Sequence, residues 1–142
     1  MQNIKVSCIL KISVERRKAM DKIKVLVIDD KRIIGDLFEF TLGYSGHAIT
    51  AVNNPQEGLE LIRREKFDVI FLDIIMPGRD GVSVLEELKQ ISPNVPVVMM
   101  SGYSVEEKRN RVKELGAVTC LKKPFEMDDV RKIVKEALGK EI

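Results

Sequence analysis

The sequence has few of the residues that build metal–thiolate or disulfide sites. It contains two cysteines, Cys8 and Cys120, and a single histidine, His47. The cysteines lie far apart without metal-ligand spacing, which favours reduced thiols over a disulfide framework. A lone histidine has no second imidazole with which to bind a metal or share acid–base chemistry. We therefore expect neither kind of site, and we interpret Cys120 as a small buried apolar residue rather than a redox sensor.

Long apolar runs and an excess of one charge are also missing. No run approaches the ~20 residues of a membrane span, and lysines at positions 5 and 11 interrupt the first 20 residues, unlike a signal-peptide core. The 24 basic and 22 acidic residues leave a net charge of +2, so no strong field draws nucleic acid or an anionic membrane. We expect a cytoplasmic protein without a direct nucleic-acid or membrane partner.

What the sequence does contain is a repeated strand-then-helix pattern. The chain has 142 residues, of which 44% are hydrophobic, enough for one compact domain. Segments with helix start and stop signals separate the apolar runs. Asn54-Pro55 is a start signal, and an amphipathic segment at 126–138 ends before Gly139. The predicted strands are residues 24–28, 48–52, 68–72, 95–100 and 117–121. This order predicts an α/β fold with a doubly wound parallel sheet, covered by helices on both faces.

Polar residues follow four of these predicted strands. They are Asp29 and Asp30 after the first, Asp73 after the third, Ser101 after the fourth and Lys123 after the fifth. Ligands of such sheets lie outside the carboxyl ends of the strands, where these side chains would converge. Taken singly, each has a plainer interpretation as a helix cap or a solvated loop residue. Three neighbouring carboxylates repel one another, and an oxygen-only cluster suits Mg²⁺ bridging to phosphate.

Four motifs in this order give the sequence a family resemblance. They are "VLVIDD" at 25–30, "VIFLDIIMPGRDG" at 69–81, "VVMMSG" at 97–102 and "LKKPF" at 121–125. Over residues 23–139 the chain resembles the CheY-like receiver domain of two-component response regulators. The resemblance implies five parallel strands in the order 2-1-3-4-5 with five helices. It also implies a receiver domain at 22–142 preceded by an extension at 1–21.

The resemblance assigns a metal and a phosphoryl group to the acidic edge. It implies that Asp73 accepts phosphate from the phosphohistidine of a sensor histidine kinase or phosphotransfer protein. Asp30, Asp73 and the backbone carbonyl of Ile75 would then ligate Mg²⁺, with Asp29 acting partly through water. Such a protein is a phosphoacceptor that signals by conformational change to a downstream target protein, rather than an enzyme.

The remaining roles concern the switch that follows phosphorylation. By resemblance Lys123 contacts the phosphoryl oxygens, Ser101 is the switch hydroxyl, and the peptide bond before Pro124 is cis. Three residues before Lys123 the family often carries an aromatic residue, whereas this chain has Cys120. Ile75 and Tyr103 would flank the path of the water that removes the phosphoryl group.

Other protein classes fit the residues less well. A haloacid dehalogenase-type phosphatase needs a second aspartate two residues after the nucleophile, where this chain has Ile75. A flavodoxin-type protein needs a Ser/Thr/Gly-rich phosphate loop after strand one, where "DDKR" stands. A signal-blind receiver would have lost an acid or the lysine. A receiver locked by contacts with a partner remains an open alternative.

The two ends of the chain carry further expectations. Residues 4, 6, 8, 10 and 12 are apolar in alternation and could add an edge strand, but Met20 precedes the point where receivers commonly begin. We expect residues 1–21 to be a weakly ordered extension. Only four residues follow Leu138, which predicts output through protein contacts. The helix after Asp30 is expected to dock the kinase, with Ile33 and Phe40 outside its apolar face.

Overall fold

The computed structural model describes residues 22–102 and 106–142, apart from the side chains of residues 106 and 107. The strands of the main sheet are β1 Lys24–Ile28, β2 Ala48–Val52, β3 Val69–Asp73, β4 Val97–Ser101 and β5 Thr119–Lys122. The helices are α1 Arg32–Phe38, α2 Pro55–Arg64, α3 Gly81–Ile91, α4 Glu106–Glu114 and α5 Met127–Leu138. The expected edge strand at residues 4–12 and the weakly ordered extension at 1–21 lie outside the described residues.

All five strands are parallel, and they lie in the order β2-β1-β3-β4-β5. The predicted doubly wound sheet with five helices is therefore confirmed. Several strand boundaries were wrong by one or two residues. β4 begins at Val97 because Pro96 lacks an N–H and contributes only its carbonyl to the N–H of Ile70, at 3.0 Å. β5 begins at Thr119, since the N–H of Ala117 still bonds the α4 residue Val112 at 2.9 Å.

The apolar residues of the strands alternate between two core layers. Val25 and Val27 lie in the layer beneath α1 and α5, and Leu26 and Ile28 lie in the layer beneath α2, α3 and α4. Because both faces are covered, nearly every position of β1, β3 and β4 is buried. Each fully buried Leu or Ile contributes about 1.5–3 kcal/mol. The carboxyl ends of the strands are therefore held by a rigid, close-packed support.

The helix boundaries follow the capping residues. The side chain of Asn54 accepts a hydrogen bond from the N–H of Glu57 at 2.9 Å, with Pro55 as the first helical residue. Gly139 ends α5 with a left-handed φ of 61°. Both predictions are confirmed. Glu126, expected to start α5, instead occupies its N-cap position without a side-chain capping hydrogen bond. No helix among the described residues is long and apolar enough to cross a membrane.

Helix α1 has a feature that the sequence pattern does not indicate. It runs directly into a π-helical turn at Glu39–Gly43. Phe38 and Leu42 are buried, while the exposed fractions of Ile33 and Phe40 are 71% and 80%, as expected for residues outside the apolar face. Cys120 was expected to be buried, but it is half-buried on β5 and packs against the core edge.

A short hairpin follows β3 and is a second unpredicted element. Ile75–Met76 pairs antiparallel with Arg79–Asp80. The Asp80 side chain accepts a hydrogen bond from the N–H of Val82 at 3.1 Å and so caps α3. The hairpin thereby joins the end of β3 to the start of α3.

Candidate functional site

Three carboxylates meet at the carboxyl edge of the sheet. Asp29 and Asp30 follow β1, Asp73 is the last residue of β3, and one carboxylate oxygen from each lies within 4.8 Å of the others. Asp29 and Asp73 are 3% and 4% exposed, whereas Asp30 is exposed. Because β1 and β3 are adjacent strands, their carboxyl ends bring together the three acids predicted from the sequence.

Lys123 reaches this cluster from the far side of the sheet. Its ammonium Nζ lies 2.6 Å from Asp29 Oδ2 and 3.2 Å from Asp73 Oδ2. The Lys123–Pro124 peptide bond is cis, as the resemblance implied. The N–H of Lys123 also donates to the carbonyl of Ser101 at 2.7 Å. One partly buried cation thus bridges two carboxylates that come from different strands.

Each of these two carboxylates also accepts a hydrogen bond from the backbone two residues ahead. The N–H of Lys31 lies 2.9 Å from Asp29 Oδ1, and the N–H of Ile75 lies 3.1 Å from Asp73 Oδ1. These are Asx turns, which an aspartate favours where a strand passes into a loop. The sequence analysis missed both donors, although an aspartate at a strand end is the signal for them. Together with Lys123 they set the orientation of both carboxylates.

The electrostatics of the cluster favour binding of a cation. The pKa of Asp73 is raised overall, first by burial and then by the charge of Asp29. The hydrogen bond from the Ile75 N–H and the charge of Lys123 lower this pKa and offset part of the rise. Burial also disfavours the charged form of Lys123, but its hydrogen bond to Asp29 and both carboxylate charges raise its pKa overall. Lys123 therefore stays charged at neutral pH, and one ammonium faces three carboxylates. The remaining negative charge and the all-oxygen donor set fit a divalent cation such as Mg²⁺.

Ser101 and Ile75 lie beside the cluster. Ser101 ends β4 next to β3, is 2% exposed, and stands in register with Lys122 of β5. Ile75 begins the hairpin, and its side chain is 46% exposed. Tyr103, the second residue expected to flank the water path, lies outside the described residues. The apolar side chain of Ile75 stands where a haloacid dehalogenase-type phosphatase would need its acid.

This arrangement is suited to chemistry on an anionic group. A buried carboxylate is a weak nucleophile toward phosphate, because both partners are negative. Lys123 and a divalent cation would offset the charge on the equatorial phosphoryl oxygens, and the rigid strand end would hold the nucleophile in line.

Known proteins share the sequence pattern of this chain. The response regulator receiver domain family matches residues 25–135. The chain is 33% identical over 115 residues to the sporulation initiation phosphotransferase F of Bacillus subtilis, covering 81% of this chain and 93% of that protein. It spans only about a quarter of the length of several other curated relatives, among them transcriptional regulatory proteins named ZraR.

Solved structures of response regulators are similar to this chain in fold. A CheY-like receiver domain protein from Methanospirillum hungatei is 27% identical, with a TM-score of 0.80, over 84% of this chain and 95% of that one. A Burkholderia pseudomallei response regulator, solved with a phosphorylated aspartic acid, a calcium ion and citrate, is 25% identical with a TM-score of 0.75, over 84% and 69% of the two chains. With this fold, these motifs and a match over most of its length, the chain belongs to the response regulator receiver domain family.

Proposed function

We propose that Asp73 accepts a phosphoryl group from a phosphohistidine and that the chain then signals to a protein partner. The observation that carries the proposal is the cluster itself. Three carboxylates lie within 4.8 Å of one another, and Lys123 Nζ lies 3.2 Å from Asp73 Oδ2. In the transfer, a bond forms between phosphorus and an Asp73 carboxylate oxygen as the phosphorus–nitrogen bond to the donor imidazole breaks.

The neighbouring residues would each have a different role in this step. Asp29, Asp30, Asp73 and the carbonyl of Ile75 would hold Mg²⁺, which when bound supplies positive charge to the phosphoryl oxygens. Lys123 would bind a phosphoryl oxygen from the other side, because its ammonium already lies between the buried carboxylates. Ser101 would donate its hydroxyl hydrogen bond to the phosphoryl group only in the activated form.

The compared proteins support the proposal without deciding it. The Bacillus subtilis relative is named a phosphotransferase, and the Burkholderia pseudomallei structure contains a phosphorylated aspartic acid with a calcium ion. We infer the same type of acceptor here, with Mg²⁺ as the cation. We also infer that residues 22–142 are the receiver domain, that residues 1–21 are an extension, and that the protein acts in the cytoplasm as a signalling phosphoacceptor rather than an enzyme.

The inferred partners are a sensor histidine kinase or phosphotransfer protein and a downstream target protein. Ile33 is 71% exposed one turn beyond Asp30, so the start of α1 offers an apolar contact next to the acceptor. Such a residue suits docking of the phosphodonor. We infer that the target binds the surface of α4, β5 and α5, at the β5 edge of the sheet. No nucleic-acid or membrane partner is proposed.

The experiment uses the full-length chain and a small phosphodonor. Incubation with acetyl phosphate and Mg²⁺, followed by intact-mass measurement, should show one added phosphoryl group. Omission of Mg²⁺ or chelation with EDTA should abolish the gain, and Asp73→Asn should not gain it. Equal labelling with and without a divalent cation would contradict the proposed metal site. No labelling under any condition would favour a receiver locked by partner contacts.

A further inference from the structure

The outer face of α1 and the π-helical turn after it carries an unusual apolar surface. Five large hydrophobic side chains are exposed in the described residues, and three of them, Ile33, Phe40 and Tyr44, lie in or next to this segment. Phe40 and Tyr44 are 80% and 90% exposed and one turn apart. Two such aromatic rings side by side on a surface commonly mark a contact site. They lie at the end of the helix that is distant from the carboxylate cluster.

This apolar surface is bordered by acids. Asp36 and Glu39 line a shallow groove of about 350 Å³ together with Phe40 and Tyr44. The same two acids line a neighbouring groove that continues past Glu57 toward the active-site edge. Within residues 22–102 and 106–142, neither Asp36 nor Glu39 forms an ion pair. The groove therefore presents aromatic and negative groups together, and it suits a segment that is both apolar and basic.

The described chain begins beside this groove. The N–H of Ile23 donates to His47 Nδ1 at 3.2 Å, and the N–H of Ala48 donates to the carbonyl of Ile23 at 2.9 Å. His47 is only three residues beyond Tyr44. The described chain therefore begins next to the aromatic pair, and the 21 residues before it can span roughly 70 Å when extended.

The composition of residues 1–21 complements the groove. The segment has two acidic residues, Glu15 and Asp21, and a larger number of basic residues. The basic residues are Lys5, Lys11, Arg16, Arg17 and Lys18. Three of them lie together at 16–18, close to the point of exit, and apolar residues precede them at 4, 6, 9, 10, 12 and 14. A segment of this kind can bind reversibly through charge and apolar contacts without forming a strand.

We propose that residues 1–21 bind, within the same chain, to the groove formed by Asp36, Glu39, Phe40 and Tyr44. The basic group at 16–18 faces the two acids, and apolar residues of the segment cover the aromatic rings. The contact covers the end of α1 and the π-helical turn that follows it. It does not depend on the phosphoacceptor role of Asp73.

The test uses Cys8, which places a natural thiol in the segment. In the full chain with Cys120→Ser, a nitroxide spin label on Cys8 should weaken or remove the amide NMR signals of Phe40 and Tyr44. The signal of Val118, which is exposed directly before β5 at the far edge of the sheet, serves as the internal control. At about 1 M salt, where the Debye length falls to about 3 Å, the lost signals should return.

Two sets of variants separate the groups that the proposal names. Changing Arg16, Arg17 and Lys18 to Glu should restore the amide signals of residues 40 and 44, and so should Phe40→Ser with Tyr44→Ser. The latter two side chains are exposed, so the fold should tolerate their replacement. Equal weakening at Val118 and Phe40, or no weakening at either, would overturn the proposal. Weakening only when labelled and isotope-enriched chains are mixed would assign the groove to a second copy of the chain instead.

Discussion

Gly81 offers a strong test of how the fold positions Asp73, the proposed acceptor. It is buried at the start of α3, and its N–H donates to the carbonyl of Ile74 at 2.8 Å. A Cβ at this position would lie 2.5 Å from the carbonyl oxygen of Asp73 and 2.6 Å from both the Cα and the carbonyl oxygen of Ile74. These are backbone atoms, so no side-chain rotation can relieve the overlap. The substitution Gly81→Ala should therefore push α3 away from the segment that carries Asp73.

The size of the effect follows from these distances. Non-bonded heavy atoms prefer separations of about 3.5–4.0 Å, so helix and loop must move apart by about 1 Å. Overpacking of this kind costs about 1–3 kcal/mol. Alanine regains at most about 1 kcal/mol through its higher helix propensity, and less at a first helical residue. We expect Gly81→Ala to lower the free energy of unfolding by about 1–3 kcal/mol and to slow Mg²⁺-dependent phosphorylation.

The assay is urea unfolding followed by circular dichroism, with labelling by acetyl phosphate measured in parallel. Gly43→Ala is the matched control, because the nearest atoms to its Cβ would be side-chain atoms of Glu39 at 3.4 Å and Ile49 at 3.6 Å. The control should stay within about 0.5 kcal/mol of the original chain. If Gly81→Ala were as stable and as readily phosphorylated as Gly43→Ala, the argument that α3 abuts the acceptor strand would fail.

Three further predictions concern the site itself. The pKa of Asp73 is raised above 3.8 by burial and by Asp29, so in the metal-free protein its stabilising contribution is present at low pH and is lost as pH rises through the folded-state value. Asp73→Asn should thus be at least as stable as the original chain near neutral pH without Mg²⁺, and its relative stability should fall on acidification; urea titrations that show no such pH trend would contradict this. Lys123→Ala should slow phosphorylation by about 100-fold or more, since it removes a charge at the reacting oxygens. Ser101→Ala should slow it by less than about tenfold because it removes one hydrogen bond of the activated form, and equal rates for the two variants would refute that division. Ile75→Asn should speed loss of the phosphoryl group once the donor is removed, because a polar side chain can orient the attacking water, and an unchanged half-life would show that Ile75 does not shield it.

The sequence predicts the fold and the carboxylate cluster for one physical reason. Parallel strands buried on both faces must be apolar along their length, so Asp29 and Asp73 stand out where the apolar runs end. The carboxyl ends of all parallel strands lie at one edge, and this places Lys123 near them even though it is 94 residues from Asp29. Periodicity and strand order thus suffice to indicate which side chains share an edge.

Other features depend on contacts that periodicity does not report. The hairpin at Ile75–Met76 and Arg79–Asp80 turns at Gly78, whose φ is 84°, and Gly81 lets α3 approach the backbone of Ile74. The π-helical turn after Phe38 adds a residue to one turn and displays Phe40 and Tyr44 on the surface. Cys120 is only half-buried because β5 is an edge strand. Periodicity indicates only which residues of an element face the core, so it does not predict any of these three features.

The most direct test of the account is to identify the residue that carries the phosphoryl group. The chain is phosphorylated with acetyl phosphate and Mg²⁺ and then reduced with borohydride, which converts a phosphorylated aspartate to homoserine. Peptide mass spectrometry should find homoserine at position 73 alone, and in Asp73→Asn it should find none. Homoserine at Asp29 or Asp30 in the original chain, or a label that persists in the Asn variant, would contradict the assignment of Asp73 as the acceptor.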